Sequence, residues 1–149
     1  MNYLGIDYGR KRVGLGYADG ELCVAVPIPA IVNKQAGEVY TQIGEIIKTR
    51  RVSELVIGYP LHMDGRVGKR TEEVDQFVRG LENRFGLKVH KVDERLSTSK
   101  VESDFRMMGK KVSKKSGEID SSAATLILQD FLGSQNPQPL SPDFGYEDE

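Results

Sequence analysis

The first ten residues, MNYLGIDYGR (1–10), decide how the rest of the chain is interpreted. The apolar run from Tyr3 to Ile6 predicts a short buried strand, and Asp7 follows it directly before a glycine turn. A carboxylate at the end of a buried strand is costly unless something positive lies against it. Asp7 could therefore pair with Arg10 or Arg12, or cap the turn through its own backbone, or belong to a functional site.

Length and composition indicate an ordinary globular domain. The 149 residues suffice for a real core, and 29% of them are charged and 38% hydrophobic. Cys23 is the only cysteine, which excludes an internal disulfide and a cysteine-based metal knuckle. The longest apolar run is far shorter than the roughly 20 residues of a membrane span, and we expect no signal peptide before the first strand. We therefore expect a cytoplasmic protein with no membrane partner.

Charge is distributed unevenly along the chain. The net charge is −1, but four acids and no basic residue follow Gly133, which leaves 21 basic against 18 acidic residues elsewhere. We predict a folded domain over residues 1–133 and a disordered, acidic, proline-containing tail over 134–149. A mildly basic body of this kind is compatible with a nucleic-acid partner.

The hydrophobic pattern predicts three strands in hairpins, followed by helices that alternate with strands. Strands are expected over 3–6, 13–18 and 22–32, with a turn at Asp19-Gly20 and with Pro27 and Pro29 confining the third strand to an edge. Later strands are expected over 54–58 and 87–92, and helices over 37–51, from about 70 to 85, around 99–108 and over 119–132. The order predicts an α/β fold with a mixed five-stranded sheet. Its first three strands form an antiparallel meander, the later ones are parallel, and helices cover both faces.

Acidic residues from three distant segments are predicted near one rim of this sheet. Asp7 ends the first strand, and Asp93 and Glu94 end the fifth, so that their positions meet at the carboxyl ends of the strands. Adjacent acids on a strand face opposite ways, and spacing alone leaves open which of the two faces the site. Asp120 is in line with the apolar stripe of the last helix. Its negative charge either stabilises the N-terminus of that helix or belongs to a functional site. Converging carboxylates suit divalent cations, which can activate water against a phosphodiester.

Basic residues are concentrated on predicted loops at the same rim. A charge run of this kind is found both in solvated loops and in phosphate-binding surfaces, and both interpretations stay open. The candidate nucleic-acid-binding residues are Arg10, Lys11, Arg12, Arg66, Arg70, Arg95, Lys110, Lys111, Lys114 and Lys115.

Four motifs in register resemble the YqgF/RuvX family: GIDYGRKRVG (5–14), IGYPLHMDG (57–65), VDERLST (92–98) and IDSSAA (119–124). The resemblance extends from residue 1 to about residue 133. Members are bacterial proteins with a ribonuclease-H-like fold, described as Holliday junction resolvases and as nucleases that mature the small-subunit ribosomal RNA precursor. The resemblance implies that Asp7, Glu94 and Asp120 are the catalytic and metal-binding triad, and it selects Glu94 over Asp93. It also implies one or two Mg²⁺ or Mn²⁺ ions and a role in ribosome biogenesis.

We therefore expect a metal-dependent nuclease, which the resemblance directs to the 5′ end of pre-16S rRNA. One alternative is a Holliday junction resolvase that acts on branched DNA. A second is a non-catalytic module that docks on ribosomal precursor particles through the basic loop. An ATPase lobe is a third, although such proteins need two lobes around the nucleotide. The pattern fits a monomer or a homodimer equally well.

Overall fold

The computed structural model describes residues 1–60, 68–93 and 116–135. The predicted helix around 99–108 lies outside these ranges, as does the chain after residue 135. In order along the chain, the elements are β1 (Asn2–Tyr8), β2 (Arg12–Asp19), β3 (Val24–Val32), α1 (Ala36–Arg50), β4 (Val52–Tyr59), α2 (Lys69–Phe85), β5 (Val89–Asp93) and α3 (Ser116–Gln135).

The strands form one mixed sheet in the order β3-β2-β1-β4-β5. The pairs β1–β2 and β2–β3 are antiparallel, whereas β1–β4 and β4–β5 are parallel. This confirms the predicted five-stranded sheet, and β3, with its two prolines, lies at an edge as expected. Strand order reverses between β1 and β4, which is where ligands bind in open α/β sheets.

Helices cover both faces of the sheet, because alternate residues of each strand supply a core on either side. Leu4 and Ile6 are fully buried in a core to which α1 and α2 contribute Ile43 and Leu81. On the other face, residues of α3 including Leu128 pack with β-strand residues in a smaller core. Within the described ranges, no helix is both long and apolar enough to cross a membrane.

Glycines on the second face allow α3 to approach the strands closely. A Cβ atom added at Gly5 would lie 2.8 Å from Leu128 Cβ, and one added at Gly16 would lie 2.9 Å from Thr125 Cα. Contacts this short would force the helix or the strands to shift. The glycines therefore set the distance between α3 and the sheet.

Several predicted boundaries differ from the structure. Asp7 is not the last residue of its strand, because Tyr8 still pairs with Val13 of β2. The third strand begins at Val24 and not at residue 22, since Cys23 has a φ of 56° within the preceding turn. In α3, Ala124 is buried but Ala123 is only half-buried, because one residue of helix turns the side chain by about 100°.

Candidate active site

Asp7 lies on the α3 face of the sheet, at the point where strand order reverses. It pairs with Gly14 of β2 and lies one residue beyond the last parallel pair between β1 and β4, Ile6 with Ile57. Strand alternation gives Asp7 the same face as Gly5, which packs under α3. The residue is half-buried. Its carboxylate is therefore on the sheet face and near the rim that the sequence predicts.

Helix α3 runs antiparallel to β1 across this face. The ring of Tyr3 packs edge-on against Phe131, with 5.7 Å between centroids, and Gly5 lies under Ala124 and Leu128. Two residues of strand advance about 6.7 Å, which equals between four and five residues of helix at about 1.5 Å each. Two residues beyond Gly5, the main chain at Asp7 is therefore in register with the helical turn that contains Asp120 and Ser121.

Ser121 fixes that turn of α3 to the sheet. Its side chain is buried, with a relative exposure of 3%, and its Oγ donates a hydrogen bond of 2.7 Å to the carbonyl of Ile28 in β3. No local pattern in the sequence marks this serine. This hydrogen bond thus attaches α3 to β3 one residue after Asp120.

The other two predicted triad members are less completely described. Only the main chain of α3 is described at Asp120, and Glu94 lies outside the described residues, one position after the end of β5. Within residues 1–60, 68–93 and 116–135, no three His, Cys, Asp or Glu side chains are grouped so that they could hold a metal ion. A metal site that includes Asp7 would therefore depend on ligands such as Glu94 and Asp120.

Glycines flank Asp7 on both neighbouring strands. Gly14 is directly opposite on β2, and Gly58 follows Ile57 on β4, so that both share the face of Asp7. Both glycines are buried. Because glycine has no side chain, these two positions place none beside Asp7. This suits the close approach of a ligand.

The turn that follows Asp7 is held from two other elements. Asn33, just after β3, donates from Nδ2 to the carbonyl of Gly9 at 2.7 Å and from its main-chain N–H to the carbonyl of Lys11 at 2.8 Å. Arg70, in the first turn of α2, donates to the carbonyl of Tyr8 at 2.6 Å. The end of β1 is therefore fixed to both α2 and β3.

Glu73 joins two of the predicted nucleic-acid-binding cations. Arg10 donates to both of its carboxylate oxygens at 3.2 and 3.1 Å, and Arg70 donates to Oε1 at 2.7 Å. These hydrogen bonds, that of Arg10 first, hold the pKa of the Glu73 carboxyl below its usual range. The same contact with Glu73 raises the pKa of Arg10.

The predicted basic residues differ in how far the structure describes them. The side chain of Arg10 is 61% exposed and that of Arg70 36% exposed. Lys11 is exposed and Arg12 half-buried, both at the β1–β2 turn beside Asp7. The remaining candidates lie outside the described residues: Arg66, Arg95, Lys110, Lys111, Lys114 and Lys115.

An aromatic cleft next to this turn was not expected from the sequence. Phe77 of α2 stacks between Tyr8 and Tyr40, with 4.2 and 5.3 Å between ring centroids and interplanar angles of 24° and 18°. We call the adjoining cavity, lined by these three rings with Arg10, Glu73 and Gln76, the aromatic cleft. Helical periodicity identified Phe77 only as a core residue. The spacing of Arg70 and Glu73 was the one local signal of the polar contacts beside it.

Comparison with known proteins gives one family over almost the whole chain. The family described as RuvX: Holliday junction resolvase matches residues 1–134. A protein of Opitutus terrae named "Putative pre-16S rRNA nuclease" is 43% identical over 141 residues, which is 94% of this chain and 97% of that protein. A protein of the same name from Maridesulfovibrio salexigens is 36% identical over 132 residues, covering 89% of this chain and 98% of its own.

Solved resolvase structures share the fold. RuvC of T. thermophilus in complex with a Holliday junction substrate gives a TM-score of 0.60 at 12% identity, covering 91% of this chain and 96% of that one. The Fowlpox virus resolvase in complex with Holliday junction DNA gives 0.54 at 11% identity, covering 91% and 99%. At such identities the likeness concerns the fold alone. It confirms the predicted ribonuclease-H-like architecture.

Proposed function

Because the chain belongs to the RuvX family, we propose that it is a divalent-metal-dependent nuclease that hydrolyses phosphodiester bonds at the 5′ end of pre-16S rRNA. The relatives that cover nearly the whole chain carry a pre-16S rRNA nuclease name, which supports this substrate. The activity would belong to ribosome biogenesis in the cytoplasm. The observation that carries the proposal is Asp7, which lies at the rim of the sheet in register with the turn of α3 that contains Asp120.

The catalytic residues in this proposal are Asp7, Glu94 and Asp120, which would also hold one or two Mg²⁺ or Mn²⁺ ions. Carboxylate oxygens are the ligands that these hard cations prefer. In β5, Val92 packs toward α3, so Asp93 faces the other side of the sheet from Asp7. Glu94 is proposed on the family resemblance. When bound, the ions supply an activated water and neutralise charge on the scissile phosphate.

The remaining residues of the site would bind and orient the nucleic acid. Gly14 and Gly58 have no side chains beside Asp7, which would leave room for a phosphate next to a metal ion held there. Arg10 and Lys11 are exposed on the turn that follows Asp7, where they would contact the backbone. Contacts of this kind make binding sensitive to salt because they release counterions.

The direct test compares the wild type with Asp7→Asn on a 5′ precursor fragment of 16S rRNA, in Mg²⁺, in Mn²⁺ and in EDTA. We expect the wild type to cut only with metal and Asp7→Asn to lose about 100-fold or more of this activity, with unchanged thermal unfolding. Glu45→Gln, an exposed acid on α1, is the control and should cut normally. Metal-dependent cleavage that survives Asp7→Asn would remove Asp7 from the catalytic site.

A Holliday junction resolvase is the second candidate, and the description of the matching family favours it. A four-way DNA junction in the same assay decides between the two substrates. Cutting both strands of a junction would require a homodimer, whereas a monomer suffices for the rRNA. Binding of either substrate without cleavage would instead indicate a non-catalytic module. Binding should then be abolished by alanine substitution of Lys110, Lys111, Lys114 and Lys115.

A further inference from the structure

The aromatic cleft has the size of a small-molecule site and lies beside the turn that follows Asp7. Its volume is about 530 Å³, within the range of small-molecule pockets. It opens beside the β1–β2 turn, where α1 and α2 cover the sheet. Asp7 and Tyr8 are consecutive in β1 and so serve opposite faces of the sheet. The cleft and the carboxylate of Asp7 therefore lie on opposite faces of the sheet at the same rim, with the β1–β2 turn between them.

The three rings stack on one another, and all three line the cleft. Phe77 is almost fully buried, with a relative exposure of 4%, and holds Tyr8 and Tyr40 on its two sides. Tyr8 is half-buried and lines the cleft. Stacked aromatic rings that line a cavity are the kind of surface on which nucleobases stack.

Polar groups in the cleft can contact the edge of a base. Arg10 has donors, Glu73 has acceptors, and Gln76 has both on an exposed side chain of α2. The contacts of Glu73 with Arg10 and Arg70 keep these groups in a fixed arrangement. The cleft thus combines stacking with hydrogen bonding, as a site for unpaired bases requires.

We propose that the aromatic cleft binds an unpaired nucleobase of the substrate, close to the nucleotide that lies at Asp7. This inference rests on the proposed nuclease function and specifies its substrate, which must be single-stranded on one side of the cleaved bond. A base within a duplex is stacked and paired, and so cannot enter the cleft.

The test measures binding in EDTA, so that it does not depend on cleavage. The probe is a single-stranded oligoribonucleotide of about ten nucleotides that carries the fluorescent base 2-aminopurine. We expect its emission to be quenched on binding, and Tyr8→Leu to remove the quenching and weaken affinity about tenfold. Tyr8→Phe keeps the aromatic ring and should therefore retain both the quenching and the affinity. Gln76→Ala should weaken binding, whereas Asn83→Ala, an exposed residue farther along α2, should not.

Three further arms separate the outcomes. An oligomer that is abasic at the probe position should bind about tenfold more weakly, and this arm needs no protein variant. In a duplex of the same sequence the probe base is already stacked, so adding protein should not change its emission. Free AMP that binds as tightly as the oligomer would indicate a nucleotide site and overturn the assignment to the substrate strand. Equal affinity for the intact and abasic oligomers would also overturn it, whereas normal binding without cleavage would contradict only the nuclease function.

Discussion

The guanidinium of Arg70 donates a hydrogen bond of 2.6 Å to the main-chain carbonyl of Tyr8, the residue that follows Asp7. The same side chain pairs with Glu73 at 2.7 Å. The first turn of α2 is thereby attached to the end of β1. Arg70 was predicted from the sequence as a nucleic-acid-binding residue, and the structure gives it contacts that would also position the candidate catalytic aspartate.

Arg70→Ala separates these two roles. If the residue positions Asp7, we expect kcat on the rRNA fragment to fall about tenfold with little change in KM, because the turn is no longer fixed. The free energy of unfolding should fall by about 1–2 kcal/mol. Lys69→Ala, at the exposed neighbouring residue, is the control. A higher KM, a shallower salt dependence and unchanged stability would indicate phosphate binding.

Gly5→Ala should destabilise the protein by about 2–3 kcal/mol, because the added Cβ atom would lie 2.8 Å from Leu128 Cβ and 2.9 Å from the Ala124 carbonyl oxygen. Urea unfolding measures the change. At Gly37 no atom lies within 4 Å of an added Cβ, so Gly37→Ala should be neutral or stabilising. Equal effects of the two substitutions would contradict the close packing of α3 on the sheet.

The ion pairs of Glu73 predict a dependence of stability on pH. Because its folded-state pKa is lowered, its contribution is present above the unfolded value of about 4.3 and disappears as the pH falls through the folded value. We expect the difference in unfolding free energy between wild type and Glu73→Gln to shrink from about pH 7 to about pH 3. Glu72→Gln, an exposed acid in the same turn, is the matched control. A constant difference would show that these pairs do not stabilise the folded state.

Ser121→Ala should cost about 1–3 kcal/mol, since it leaves the Ile28 carbonyl without its buried donor. Thermal or urea unfolding will measure the loss, and Ser122→Ala, at the half-buried neighbour, should cost less. We also expect Ser121→Ala to reduce cleavage, because it loosens the turn of α3 that contains Asp120. Normal cleavage by a destabilised Ser121→Ala would mean that this anchor does not position the site.

The sheet could be predicted from the sequence because its signals are local. The apolar run in β1, the Asp19-Gly20 turn and the prolines of β3 each report on a few adjacent residues. Strands that alternate with helices then leave few possible topologies. Element ends were less predictable, as at Tyr8, because pairing with a neighbouring strand decides them.

The contacts around the site could not be predicted because their partners are distant in sequence. Arg70 is 62 residues from Tyr8, and Arg10 is 63 residues from Glu73. Each of these side chains looked like a solvated charge on its own. Likewise, Phe77 has the spacing of a core residue whether or not a second aromatic ring stacks on it. The choice of Glu94 came from the resemblance alone and stays a prediction.

The prolines of β3 have a consequence for how copies of this chain could associate. Val24 and Val26 are 56% and 44% exposed on this outermost strand, a composition that ordinarily invites a neighbouring molecule to add a strand. Pro27 and Pro29 deprive the strand of two N–H donors, and the register shift in its pairing with β2 makes it irregular. Edge-to-edge addition of a strand from a second molecule is therefore disfavoured at β3, and with it the growth of an intermolecular sheet.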